Sequence, residues 1–246
     1  MKYEKYKSQL SYSYTLGITL TIELLKKHPE SVLDIFYHSS FSGESKDLID
    51  VLAKKHNIKP TLNDKIFNIV SQKENVYCIG VFKKFTSIIN KDENHIVLVN
   101  PSNAGNLGTI IRTTAGFNLN NLVIIKPAVD IFDPKTVRAS MGALFNINFV
   151  HYDSFDDYKK EYSHNLYPFM LKAKTKLKDT TFIKPYSLIF GNEATGLPDN
   201  FLEYNSVIIP HSHAIDSLNL PIAVSIAIYS AKIGRASCRD RVFLTV

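Results

Sequence analysis

Cysteine is scarce. Cys78 and Cys238 are the only two in 246 residues, and they leave no thiolate metal spacing and no disulfide framework, so a reducing, cytoplasmic setting is expected. Long apolar runs are missing. None approaches the roughly 18 residues of a membrane span, and no membrane partner is expected. The opening stretch, MKYEKYKSQL, carries charge and lacks the apolar centre of a secretory signal. No internal repeat or low-complexity tract interrupts the chain. No glycine-rich loop carries a Walker lysine or the spacing of a dinucleotide fingerprint. These absences set aside a disulfide scaffold, a membrane protein, a solenoid and a P-loop nucleotide binder.

What is present is ordinary for a globular protein, with 45% apolar and 21% charged residues. The length permits one large domain or two modest ones. Net charge is +6, which suits a nucleic-acid partner because phosphate neutralisation needs surplus Lys and Arg. The end of the chain breaks character. Ile233 to Val242, IGRASCRDRV, is suddenly Arg-rich and resembles a translated sequencing adapter, so residues 234–246 are expected to be non-native. Without Arg235, Arg239, Arg241 and Asp240 the charge falls by 2 to +4. The basic signal is therefore modest.

Residues 1–90 read as a small α/β domain. Helices are expected over Thr15–Lys27 and Lys46–His56, with a third opening at Asn63; strands are expected at VLDIFYH (32–38) and VYCIGVF (76–82). Lys5, Lys7, Lys26, Lys27, Lys54, Lys55, Lys83 and Lys84, interleaved with Tyr3, Tyr6, Tyr12 and Tyr14, suit either an RNA-gripping face or solvated lysines over core tyrosines. A polar linker, Ser87 to Asn94, then leads into a second domain over 95–233. There HIVLV (95–99), NLVIIK (121–126), FMLKAK (169–174) and YSLIF (186–190) read as strands. Helices are expected from about Leu107, capped by Asn106, and from Pro134. Strand, loop, helix, strand is the order of a βαβ unit, so a parallel sheet is expected.

Three stretches each begin at the carboxyl end of an expected strand, where open α/β sheets bind ligands. The first is NPSNAGNLGTIIRTTAGF (100–117). Its Arg112 lies about one and a half turns beyond Asn106 and carries a planar, permanent charge suited to phosphate. The second is GNEATG (191–196), where glycines permit close backbone approach and Glu193 accepts hydrogen bonds from a neighbouring loop or from the arginine. The third is IPHSHAIDSLNLPIAVSIAIY (209–229). It has a polar loop and then a run apolar on nearly every side, expected to be a buried helix. The pair His211 and His213 has no clear third ligand, so no metal is expected. RASMGALF (138–145) reads as structural, with Ser140, Gly142 and Ala143 letting a helix pack closely on the sheet.

These three stretches, in this order and spacing, resemble the three motifs of the SpoU/TrmH family of RNA ribose methyltransferases. Asn106, Gly108 and Arg112 match the first motif, and Asn192, Glu193, Gly196 and Leu197 the second. Ile209, Pro210, Ser217, Leu218 and Asn219 match the third. The resemblance is strong over about 95–232 and extends to 1–90 only in layout. It implies a small L30e-like substrate-binding domain followed by a SPOUT domain, a parallel sheet whose C-terminal part forms a deep trefoil knot, in a homodimer joined through the knot region. It implies S-adenosyl-L-methionine as cofactor, held by backbone around Gly191, Ile209 and Leu218 with Asn192, Gly196 and Pro210 beside them. It further implies that Arg112 activates the ribose 2′-hydroxyl of rRNA or tRNA with help from an RNA phosphate. Asn106 would order the loop, and Glu193, Ser217 and Asn219 would support the arginine and the RNA. Positioning dominates such chemistry, and no metal is needed.

The sequence departs from the motifs where His211 and His213 replace the usual Met and Gly, and where Pro221 replaces a small residue. An RNA-binding assembly factor that keeps the fold without turnover is the alternative. Related SPOUT enzymes methylate ring nitrogens, so a base stays open as a target.

Overall fold

The computed structural model describes residues 3–70, 75–212 and 214–232. Two compact units emerge. The first joins Met1–Ser87 with Asn103–Arg112 and Val129–Ile147; the second joins Ile88–Ser102, Thr113–Ala128 and Asn148–Val246. The tail read as non-native lies outside the described residues.

In the first unit, β1 (Tyr12–Leu16) and β2 (Val32–Tyr37) flank β4 (Cys78–Lys83) antiparallel, and the two-residue β3 (Thr61–Leu62) runs parallel to β2 at one edge. Alternation sorts β2 and β4 into two faces. Phe36, Ile79 and Val81 pack with Ile66, Phe67 and Val70 of α3 (Asp64–Val70). Ile35, Tyr37 and Cys78 pack with Leu25 of α1 (Ile18–Lys27) and with Ile49 and Ala53 of α2 (Glu44–Lys55). Helices thus cover both faces of the sheet.

One expectation fails here, and one open alternative is settled for three tyrosines. The helix expected from Thr15 starts at Ile18, and SYSYTL is a strand. Its hydroxyl residues disguise a segment buried on both faces. Ser13 donates to the Phe132 carbonyl, and the Thr15 and Thr21 hydroxyls bond at 2.8 Å. The tyrosines are core. Tyr3, Tyr12 and Tyr14 are buried and meet edge to face, with centroids 5.3 Å apart for Tyr3 and Tyr12. Tyr6 donates to Asp130, which also pairs with Lys84 at 2.9 Å. Stacking on RNA is closed to the buried rings of Tyr3, Tyr12 and Tyr14.

The second unit is built on five parallel strands in the order β7 (Asn148–Tyr152), β6 (Asn121–Ile125), β5 (His95–Val99), β10 (Tyr186–Phe190), β8 (Asn165–Pro168). Every residue of β5, β6 and β10 is buried, as a sheet covered on both faces requires. FMLKAK is not a sheet strand. The strand falls earlier, on β8, and Pro168 is tolerated there because β8 is an edge. The two residues that follow it form β9 (Thr175–Lys176), paired in parallel with β11 (Val207–Ile208). From β5 the chain winds to β6 and β7 on one side, then crosses to β8 and returns to β10 on the other. The order therefore reverses between β5 and β10, the place where such sheets leave a crevice at their carboxyl ends.

At the opposite ends of β5 and β10 lies a buried polar cluster. The carbonyls of Asn90 and Lys91 can only accept, so Nε2 of His95 and of His164 each donates, both at 2.8 Å. Tyr158 Oη lies 2.9 Å from His95 Nδ1 and 2.6 Å from Ser187 Oγ, and Ser187 Oγ lies 2.9 Å from His164 Nδ1. Burial pushes the His95 pKa down to about 4.

The helix α4 (Ala104–Gly116) begins three residues before the expected start, and its cap is Asn103 rather than Asn106. Asn103 Oδ1 accepts from the Asn106 N–H at 3.0 Å, and its carbonyl accepts from Leu107. α5 (Pro134–Ala139) starts at the expected proline, with Asp133 capping the Lys135 N–H at 2.8 Å. Gly142 lies outside that helix, in a left-handed turn with φ of 86°. The residue that lets helices approach is Gly108, where a Cβ would come within 2.5 Å of Ala139 Cβ and 2.6 Å of the Thr136 carbonyl oxygen.

α6 (Phe155–Glu161) is capped by Ser154, and α7 (Leu220–Lys232) closes the described chain. α7 is not buried all round. Pro221, Val224, Ala227 and Ile228 face inward, while Ile222, Ile226 and Tyr229 are exposed.

Candidate functional site

A cleft of about 320 Å³ opens in the second unit, lined from four directions. The end of β10 and the turn after it supply Phe190 and Gly191 through Leu197. The β11 exit supplies Ile208, Ile209 and His211; the α7 entry supplies Ser217, Leu218 and Leu220; and Phe169 to Lys172 close the remaining side.

The turn is held by its own geometry. Asn192 Oδ1 accepts from the Ala194 N–H at 2.9 Å, and the Asn192 carbonyl accepts from Gly196 at 2.9 Å. Gly196 has φ of 67°, the left-handed region that favours glycine. Gly191 is needed because the returning backbone lies against it. The glycines therefore serve the turn first, and the turn shapes the cleft.

Two latches tie this turn to the loop after β5. Asn192 Nδ2 donates to the Asn100 carbonyl at 2.7 Å. Ser102 donates to the Glu193 carboxylate through both its N–H, at 3.1 Å, and its Oγ, at 2.8 Å. The loops at the strand-order reversal thus act as one piece, with charge-assisted bonds among those holding them.

Of the residues singled out in the sequence, Gly191, Asn192, Glu193, Gly196, Ile209, Ser217 and Leu218 line this one cleft. Pro210 sits between lining residues Ile209 and His211. Asn219 follows Leu218, and its carbonyl starts α7 by accepting from Ile222 and Ala223 at 3.0 Å. Pro221 occupies the first turn of α7, where a missing N–H costs nothing. Asn106 and Arg112 ride on α4 in the first unit, Asn106 half-buried and Arg112 exposed.

His211 Nδ1 donates to the Ile209 carbonyl at 3.0 Å, and His213 lies outside the described residues. Among the described residues no three His, Cys, Asp or Glu side chains stand together as metal ligands. The sequence reading missed the wall from Phe169 to Lys172 and the Ser102 latch. Phe169 stacks on Phe190 with centroids 4.7 Å apart, a contact between distant segments that no local periodicity reports.

Residues 93–229 match the SpoU rRNA Methylase family. That is more than half of the chain, and the protein belongs to this family. Among its relatives is a Listeria innocua protein provisionally named a tRNA (cytidine(34)-2′-O)-methyltransferase, 34% identical over 146 residues, covering 56% of this chain and 86% of that one. The 23S rRNA (uridine(2479)-2′-O)-methyltransferase of Streptomyces viridochromogenes is 29% identical over 162 residues, covering 61% of this chain and 56% of that enzyme. In fold, the chain is similar to an AdoMet-bound rRNA methyltransferase of Sinorhizobium meliloti, with a TM-score of 0.78 at 24% identity over 92% of this chain and 89% of that one.

Proposed function

We propose that this protein is an RNA 2′-O-ribose methyltransferase that uses S-adenosyl-L-methionine and acts on rRNA or tRNA. The observation that carries the proposal is convergence. Four separate stretches, within 169–172, 191–197, 208–211 and 217–220, wall one cleft beside the strand-order reversal in a member of the SpoU family.

The cofactor fits the residues present. The cleft volume falls in the range of small-molecule sites, and its walls mix Phe169, Phe190, Leu197 and Leu218 with exposed turn backbone and a fixed carboxylate. Backbone at Gly191, Ile209 and Leu218, with Asn192, Gly196 and Pro210 beside them, would hold it. When bound, the cofactor supplies a sulfonium methyl as electrophile. The chain must then present a ribose oxygen in line and see its proton removed. Arg112, exposed and permanently charged, would grip an RNA phosphate and organise that hydroxyl. Asn106 would order the α4 entry, Glu193 would keep the two loops latched, and Ser217 and Asn219 would arrange RNA at the α7 entry.

The reading extends to the assembly. Ile222 and Ile226 lie one turn apart on the exposed side of α7, suited to a homodimer seam through the knotted C-terminal region that this family carries. Residues 1–90 would be the L30e-like domain that selects the RNA. No described helix is long and apolar enough to cross a membrane.

The test is transfer of radiolabelled methyl from S-adenosyl-L-methionine to unmodified tRNA and rRNA pools, with Arg112→Ala alongside. Label in the ribose of one pool, lost in the variant, is expected. A folded dimer that labels neither pool and fails to bind the cofactor would sink the proposal in favour of an assembly factor. Label on a base would correct the target.

A further inference from the structure

Lysine recurs at every second position from 172 to 178, in the segment LKAKTKLKD. Lys172, Lys174, Lys176 and Lys178 are all exposed, whereas Ala173 and Leu177 between them are buried and pin the segment down. The middle of the segment is β9, fixed in parallel register against β11, with Thr175 opposite Val207 and Lys176 opposite Ile208. Only β9 is extended; the chain turns before it and continues as a 3₁₀ turn, Leu177–Asp179, so the four lysines follow one exposed stretch of chain without an even spacing.

Placement distinguishes this stretch from lysines scattered elsewhere. Lys172 lines the cleft, and β11, which pins β9, runs directly into lining residues Ile208 and Ile209. The stretch thus starts at the cleft mouth and leads away from it. Lys172 pairs with Asp199 at 2.7 Å, but Lys174, Lys176 and Lys178 have no carboxylate partner among the described residues. Other lysines such as Lys5, Lys83 and Lys135 also lack one, so what sets this segment apart is three such lysines at alternate positions beside the cleft. Uncompensated like charges at alternate positions repel, and a linear polyanion relieves that repulsion while releasing its own counterions.

We propose that Lys174, Lys176 and Lys178 form a phosphate-tracking rail that carries single-stranded RNA to or from the cleft. The inference rests on the methyltransferase reading and deepens it, because it places part of RNA recognition on the unit that holds the cleft. The rail reads backbone rather than bases, so it contributes affinity and direction but no sequence preference. Lys172, held by Asp199 at the rim, marks where the rail meets the cleft.

The experiment measures binding of a short fluorescein-labelled poly(U) RNA by anisotropy between about 50 and about 200 mM salt. The full-length protein is compared with Lys174→Gln/Lys176→Gln/Lys178→Gln and with the triple Lys→Arg variant. Each lost single-strand phosphate contact lowers the slope of log K against log salt by about 0.7. The Gln variant is therefore expected to lose about 2 from the slope, the Arg variant to keep it, and both to bind S-adenosyl-L-methionine as the parent does. An unchanged slope in the Gln variant overturns the rail and leaves the methyl-transfer reading intact. A parent protein that binds the cofactor but no RNA at any salt overturns both. Stronger competition by poly-L-glutamate than by poly(U) overturns the rail in favour of an acidic protein partner.

Discussion

A Cβ on Gly191 would lie 2.2 Å from the carbonyl carbon of Gly196 and 2.4 Å from its oxygen. Both contacts are with backbone, so no side-chain rotation relieves them. The turn that walls the cleft exists only if position 191 has no side chain. Gly191→Ala must therefore push the 196–197 backbone away. The expected result is at least a tenfold loss of S-adenosyl-L-methionine affinity by calorimetry, about 1.4 kcal/mol. Gly196→Ala meets open space and pays only for its positive φ, about 1–2 kcal/mol of stability. Equal affinities for the Gly191 variant and the parent would show that the turn does not shape the binding site.

The Ser102 latch makes a narrower prediction. Ser102→Ala removes the 2.8 Å Oγ bond to Glu193 and leaves the backbone N–H in place. An exposed bond of this kind contributes about 1 kcal/mol. A several-fold fall in methyl transfer is expected, with global stability nearly unchanged and Ser102→Thr restoring the rate. If Ser102→Thr stays as slow as Ser102→Ala, hydroxyl bonding to Glu193 is not the reason.

His95 predicts a pH dependence of folding. Its folded-state pKa is lowered, chiefly by burial, from 6.5 to about 4. The unfolded chain therefore binds the proton more readily, and stability falls as pH drops from about 6.5 towards 4. The contribution is complete above that window and amounts to about 3 kcal/mol. Urea unfolding at pH 7 and pH 4.5 should show the loss, and His95→Gln should reduce it even if that variant is less stable throughout. An identical pH response in both proteins would place the acid sensitivity elsewhere.

Legibility followed how local the determining physics was. β5, β6 and β10 were readable because a strand buried on both faces must be an unbroken apolar run, and HIVLV, NLVII and YSLIF come close to that. β1 was not, because Ser13 and Thr15 satisfy their hydroxyls with partners distant in sequence or in the next helix. The helix cap moved from Asn106 to Asn103 because NPSNAGN offers several capping residues and only geometry chooses among them. Motif spacing anticipated that positions 191–196, 209 and 217–218 belong together, since each leaves an expected strand or enters a helix. The Phe169–Lys172 wall stayed invisible because its part in the cleft depends on stacking against Phe190.

The outward side of α7 carries the last prediction. The run from Leu218 to Tyr229 reads as apolar on nearly all sides, yet Ile222 and Ile226 are 52% and 38% exposed. Water contact on two isoleucines one helical turn apart is unfavourable, and burying them against a second copy removes that cost at about 25 cal/mol per Å². Ile226→Asp would place a charge in the middle of such a seam, where leaving it unpaired is far costlier than on an open surface. The expected outcome is a shift from dimer to monomer in sedimentation equilibrium, by more than tenfold in dissociation constant, with the circular dichroism of the folded chain retained. Methyl transfer should fall with the dimer if residues of both copies complete the site. A variant that stays dimeric with parental affinity would move the seam away from this side of α7.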